Sequence, residues 1–167
     1  MEIFELIKTR RSIRKFTDEP VSDETLNKII EAGTWAPSGL NNQPWKFAVV
    51  KDDGLKEQIS RLTRYSKIIL SANALIAVFL DNSESYDRTK DCQAIGACMQ
   101  NMLLTIHSMG LGAVWLGEIL KSKDKVLELV GGSEDLELMA VVALGHPLEN
   151  GGKKGRKGLD KTVFFRK

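Results

Sequence analysis

Asp87–Met109, DRTKDCQAIGACMQNMLLTIHSM, is the longest helical pattern in the chain. Set at about 100° per residue, Ala94, Ile95, Ala97, Cys98, Met99, Met102, Leu103, Leu104, Ile106 and Met109 cover well over half of its circumference. A helix that is apolar nearly all round is buried on more than one side. In a chain of 167 residues it is therefore either the central helix of the domain or an interface between copies. The small residues Ala94, Gly96 and Ala97 would admit another helix at close range. Cys92 and Cys98, six residues apart on this pattern, point to different faces, which argues against a disulfide. No Cys/His zinc spacing exists, and His107 and His146 are too few for a metal site.

Outward from this helix, Gly110-Leu111-Gly112 is a stop, and Ala113–Leu116 reads as a strand. Lys123–Val130 reads as a helix and Leu138–Leu144 as a buried strand. Upstream, Leu75–Leu80 and Trp45–Val50 read as strands. Between them lie a helix over Asp53–Arg64 and a shorter helical piece. Ser22 or Asp23 can cap a helix carrying the Leu26, Ile29, Ile30 stripe, and Glu2–Thr9 is a plausible first helix. Beyond Gly145 the chain turns polar, glycine-rich and basic until Val163-Phe164-Phe165, an apolar end that argues for docking. Four candidate strands separated by helices, with no internal repeat or linker, indicate one domain, a mixed α/β or α+β sandwich around a buried central helix.

Hydrophobic residues make up 43% of the chain and charged residues 28%, enough for a real core under an ordinary surface. No apolar run approaches the ~18 residues of a membrane span, and Glu2 and Glu5 with no apolar run after them are unlike a secretory signal. A cytoplasmic protein is expected. Net charge is only +2, but its distribution is uneven. Residues 8–15 hold five bases and residues 151–167 hold seven more against Asp160 alone, leaving the rest of the chain net acidic. If the two ends meet in space, they form one anion site.

The dinucleotide fingerprint GxGxxG, the phosphate loop GxxxxGK[ST] and the nucleophile elbow GxSxG are all absent. Four other segments carry chemistry. Arg10-Arg11-Ser12-Ile13-Arg14 offers forked donors and a hydroxyl that match phosphate oxygens, though a solvated basic turn has the same composition. Pro37-Ser38-Gly39-Leu40-Asn41-Asn42-Gln43-Pro44-Trp45 places amide side chains between two stiffening prolines, either a polar turn or donors and acceptors for a heterocycle edge. Gly110–Gly117, GLGAVWLG, has glycines at both ends of an apolar strand, where backbone can approach a flat ligand. Lys153–Lys157 is a basic run in the tail.

In this order and spacing, RRSIRKF, APSGLNNQPWKF, QNMLL…GLGAVWLG and a basic tail resemble the FMN-dependent nitroreductase family, from Glu2 to about Lys161. The resemblance implies an α+β fold: a three-layer sandwich with a mixed, mostly antiparallel sheet flanked by helices, and the long central helix at a dimer interface. It implies a single FMN-binding domain over 1–167, with 146–167 a tail docking on the partner subunit. Arg10, Arg11, Ser12 and Arg14 would line the flavin from one subunit, Arg10 and Ser12 toward the phosphate and Arg14 nearer the pyrimidine ring. Pro37, Ser38, Gly39, Asn41 and Gln43 would come from the other. Backbone at Leu116 and Gly117 would face N5, and Arg156 would reach the phosphate. Gly155 and Gly158 flank the Arg156-Lys157 pair where family tails often carry prolines, which loosens this one.

The implied activity is transfer of hydride from NADH or NADPH through flavin N5 to a nitroaromatic, quinone or similar small oxidant, by a ping-pong cycle. No catalytic side chain and no metal are required, because the cofactor carries the chemistry. The short chain leaves little room for a substrate-covering insertion. A flavin-binding store or sensor, or a specialised flavin-consuming or dehalogenating enzyme of the same fold, would use the same ligands. Nucleic-acid binding through the basic ends is disfavoured, since those ends lack an aromatic platform and the remainder is acidic.

Overall fold

The computed structural model describes residues 2–152 and 155–167. Its helices are α1 (Ile3–Thr9), α2 (Asp23–Thr34), α3 (Asp53–Ser60), α4 (Ser66–Ser71), α5 (Arg88–Ser108) and α6 (Lys123–Leu129). Its strands are β1 (Trp45–Val50), β2 (Ala74–Asp81), β3 (Gly112–Leu116) and β4 (Leu136–Gly145), joined in one sheet in the order β1-β2-β4-β3. Every neighbouring pair is antiparallel. The parallel component is a single bridge between Ser12 and Ala113.

Strand β2 is buried along its whole length, so its alternating side chains feed two cores rather than one core and solvent. Ala74, Ile76, Val78 and Leu80 face α2 and α5, meeting Leu26, Ile29, Ile95, Cys98, Met102 and Ile106. Leu75, Ala77 and Phe79 face Ile59 of α3, Ile68 and Ile69 of α4 and Val126 of α6. Helices therefore cover both faces of the sheet, the three-layer α+β sandwich expected.

Helix α5 follows the sequence pattern closely. Asp87 caps it by accepting from the Lys90 N–H, and Gly110 at φ +77° lies in the left-handed turn beyond its end. Of the small residues expected to admit another helix, Ala94 is buried in the core shared with α2 and Ala97 packs against that core, and the tightest approach falls at a glycine of α2. A Cβ at Gly33 of α2 would fall 2.8 Å from Met102 Cγ, while Gly96 of α5 faces open space. Helix α3 stops at Ser60, short of Arg64, because Glu118 competes for the next turn: it accepts from the Thr63 hydroxyl and the Arg64 N–H.

Residues 12–17 are clamped on both sides. The Ile13 N–H donates to Ala113 of β3 (2.9 Å). On the other side Thr17 N–H donates to His146, Leu148 N–H donates to Lys15, and Phe16 bridges Pro147. The beginning of the tail, 146–149, is thus fastened to its own chain, whereas Leu159, Phe164 and Phe165 are exposed. Helix α1 buries no residue and leaves Ile3, Phe4 and Ile7 open. Among the described residues no helix is long and apolar enough to cross a membrane, and no group of three His, Cys, Asp or Glu side chains could hold a metal.

Candidate functional site

The two basic ends meet. Arg10, Arg11, Ser12 and Arg14 line one cleft of about 190 Å³ with Gly152 and Arg156. The ends come together because the 12–17 segment lies between β3 and the start of the tail, as described. Lys153 and Lys154 of the tail's basic run lie outside the described residues.

Three of the four guanidiniums donate to carbonyls. Arg11 Nη1 donates to Lys8 O (2.6 Å) and Arg10 O (2.9 Å), turning back to cap the end of α1. Arg14 Nη1 donates to Ser12 O at 3.3 Å and Arg156 Nη1 to Gly155 O at 3.2 Å. Among the described residues no carboxylate forms an ion pair with any of the four. The nearest acid contact is Glu149 Oε1, which accepts the backbone N–H of Arg14 (3.2 Å). Burial, Arg156 and Arg11 together push the Arg10 pKa below its usual value. An arginine remains charged regardless, so the cleft holds concentrated, unneutralised positive charge. Burial also lowers the His107 pKa, with Arg10 and Arg11 adding to the effect, while its Nε2 lies 3.0 Å from the Thr9 hydroxyl.

Pro37, Ser38 and Gly39 line a different cleft, of about 310 Å³, with Tyr86, Lys90, Gln93, Ala94 and Ala97. The loop is an unusual piece of backbone: Leu40, Asn41 and Gln43 all have left-handed φ, at 54°, 57° and 48°. Ser38 Oγ accepts the Gln43 N–H (3.0 Å), and Asn41 donates its N–H to the Ser38 carbonyl. Asn41 and Gln43 shape the loop but do not line this cleft in the single chain.

Leu116 is buried at the end of β3, where it pairs with Val141. Gly117 after it is exposed, and a Cβ there would meet nothing within 4 Å. Neither residue lines either cleft. At the other end of β3 the glycine serves the chain rather than a ligand: a Cβ at Gly112 would come within 2.7–2.8 Å of three Ile13 side-chain atoms.

One chain therefore gathers Arg10, Arg11, Ser12, Arg14 and Arg156, and keeps the Pro37–Gln43 loop apart from them. Tyr86 and Lys90 were not identified as site residues from the sequence. Their place in the cleft depends on where the turn before α5 packs, which sequence pattern does not carry; in the fold, Lys90 Nζ lies 5.1 Å over the Tyr86 ring.

The nitroreductase family model matches residues 7–64 and 56–146. A Desulfovibrio desulfuricans protein crystallised as a nitroreductase in complex with FMN is 44% identical. It superposes with a TM-score of 0.95, covering 100% of this chain and 98% of that one. A Methanothermobacter thermautotrophicus protein named NADH dehydrogenase/NAD(P)H nitroreductase is 36% identical over 157 residues, 92% of this chain and 82% of the relative. An NADPH:FMN oxidoreductase from Vibrio harveyi, solved with NAD+, is 29% identical with a TM-score of 0.89, over 98% of this chain and 76% of that one. The chain belongs to the nitroreductase family.

Proposed function

We propose that this protein is an FMN-dependent NAD(P)H oxidoreductase that works as a homodimer in the cytoplasm, with two flavin sites at the subunit interface. The observation that carries the reading is the convergence of Arg10, Ser12, Arg14 and Arg156 on one cleft, none of these arginines ion-paired to a carboxylate among the described residues. Such a donor set fits a phosphate monoester, whose charge near −2 would relieve the repulsion felt by Arg10. The relatives named for FMN and NAD(P)H chemistry support the same reading.

When bound, FMN supplies the redox chemistry, passing hydride from NADH or NADPH by way of N5 to a nitroaromatic, quinone or similar small oxidant in a ping-pong cycle. The chain's own residues bind and orient. Arg10 and Ser12 would hold the phosphate, with Arg156 of the tail contributing from the same cleft. Arg14, in the same cleft, would offset negative charge on the flavin pyrimidine. Arg11 holds the end of α1, and so the approach to Arg10, through its two carbonyl contacts. Gly117, bare of a side chain, would leave backbone free to face the flavin. The loop of Pro37, Ser38, Gly39, Asn41 and Gln43 completes the site of the other subunit, which accounts for its separation from the arginines within one chain. The whole chain, 1–167, is one domain whose tail beyond the fastened residues 146–149 docks on the partner through its exposed aromatic end.

The test is flavin uptake measured with mass. Purified protein reconstituted with FMN and freed of excess should retain about one flavin per chain and sediment as a dimer. A monomer that retains FMN equally well would contradict the shared site.

A further inference from the structure

We propose that Asn42 and Asp91 are positioning residues for the flavin site, a latch that fixes the Pro37–Gln43 loop and Tyr86 against the first turn of α5. The assignment rests on the functional reading above.

Asp91 is fully buried, and its two carboxylate oxygens do separate work. Oδ2 accepts from the Ser85 hydroxyl (2.7 Å) and from the backbone N–H groups of Tyr86 and Asp87 (3.2 Å each). Oδ1 accepts from Asn42 Nδ2 at 2.8 Å, and the same amide nitrogen donates to the Glu84 carbonyl at 3.0 Å. One carboxylate thus holds both walls of the 310 Å³ cleft, the loop through Asn42 and Tyr86 through its main chain. The walls also touch each other, since a Cβ at Gly39 would collide with the Tyr86 hydroxyl.

The loop needs such a hold. Leu40, Asn41 and Gln43 all sit in the left-handed region, a conformation that persists in non-glycine residues only where surroundings over-determine it. Asn42, in ordinary helical backbone between them, is the residue that reaches across to α5. Its bond to an ionised acceptor is of the strong, charge-assisted kind. Asn42 Oδ1 is buried without a partner, so the amide's orientation is set by its donors alone. Neither Asn42 nor Asp91 lines the cleft, which makes both positioning residues rather than ligands.

Asn42→Ala in the full chain tests this, because Asp91 keeps its other three donors and the start of α5 stays capped. FMN affinity, read by flavin fluorescence, should fall on the order of tenfold. Amide exchange of residues 38–43 in the flavin-free protein should accelerate, and the visible circular dichroism of bound flavin should change. Val126→Ala, in the core on the opposite sheet face, is the control for stability alone and should leave all three readouts at wild-type values. Unchanged affinity and exchange in Asn42→Ala overturns the latch, as does an equal loss of affinity in Val126→Ala. Wild-type protein that takes up no FMN overturns the functional reading and this assignment together. Wild-type uptake with an unaffected Asn42→Ala overturns this assignment alone.

Discussion

Arg10 stands half-buried at the end of α1, where burial and then Arg156 and Arg11 depress its pKa, with no ion pair to an acid among the described residues. Removing it should weaken FMN binding by about 1.5–3 kcal/mol, the cost of a lost charge-assisted contact. The flavin-free protein should lose no stability, since like-charge repulsion goes with it. Fluorescence titration and thermal melts of Arg10→Ala check both halves. Glu118 gives a prediction of a different kind. Hydrogen bonds from Lys121 and Thr63 lead the effects that hold its pKa down to about 2 from an ordinary 4.5, against burial. A carboxyl lowered on folding stabilises the protein above its unfolded pKa, and that contribution is lost as pH falls from 4.5 toward 2. The drop in melting temperature across this window should therefore be smaller in Glu118→Gln than in wild type. At this scale the sequence told residue types but not directions. The RRSIR donors were legible as an anion site, yet that Arg11 turns back to the Lys8 carbonyl, or that Asn42 is the latch between Asn41 and Gln43, depends on contacts up to 49 residues away in the chain.

Helix α5 and strand β3 behave as periodicity and turn chemistry dictate, because burial on both sides leaves little choice about which residues face inward. Boundaries were less legible. The end of α3 is set by Glu118, which sequence-local patterns cannot see. Glycines at both ends of the β3 segment suggest room for a ligand; a Cβ at Gly117 would meet open space, whereas Gly112 is spent on Ile13. Gly112→Ala should therefore force the 12–17 segment off β3, destabilising the fold by about 1–3 kcal/mol through overpacking. FMN affinity should fall with it, because Ser12 and Arg14 flank Ile13. Denaturant unfolding and flavin titration of the same variant measure the two effects. A Gly112→Ala protein of wild-type stability and affinity would mean that β3 does not carry the arginines.

Across the whole molecule, charge and apolar surface are displaced toward one purpose. Half of the 24 basic residues lie in 25 positions at the two ends, and the fold brings Arg10, Arg11, Arg14 and Arg156 to one cleft. The exposed faces of α1 and the Phe164-Phe165 end are what a single chain leaves uncovered and a second copy would bury. Deleting residues 155–167, which removes Arg156 and the aromatic end, should weaken both dimerisation and FMN retention while the sheet and its two cores remain folded. Sedimentation, flavin content and far-ultraviolet circular dichroism read those three outcomes. The fold and the meeting of the two basic ends were legible from pattern and charge. The pairing of the loop with the arginines was suggested only by the family resemblance, since a single chain keeps Pro37–Gly39 and the arginines in separate clefts.

The most direct measurement is the absorbance spectrum of the FMN-reconstituted protein under anaerobic conditions, with NADH and NADPH added in turn. The flavin band near about 450 nm should bleach with at least one nucleotide and return on addition of a quinone or nitroaromatic. A bound flavin that neither nucleotide bleaches, or no bound flavin at all, would contradict the account.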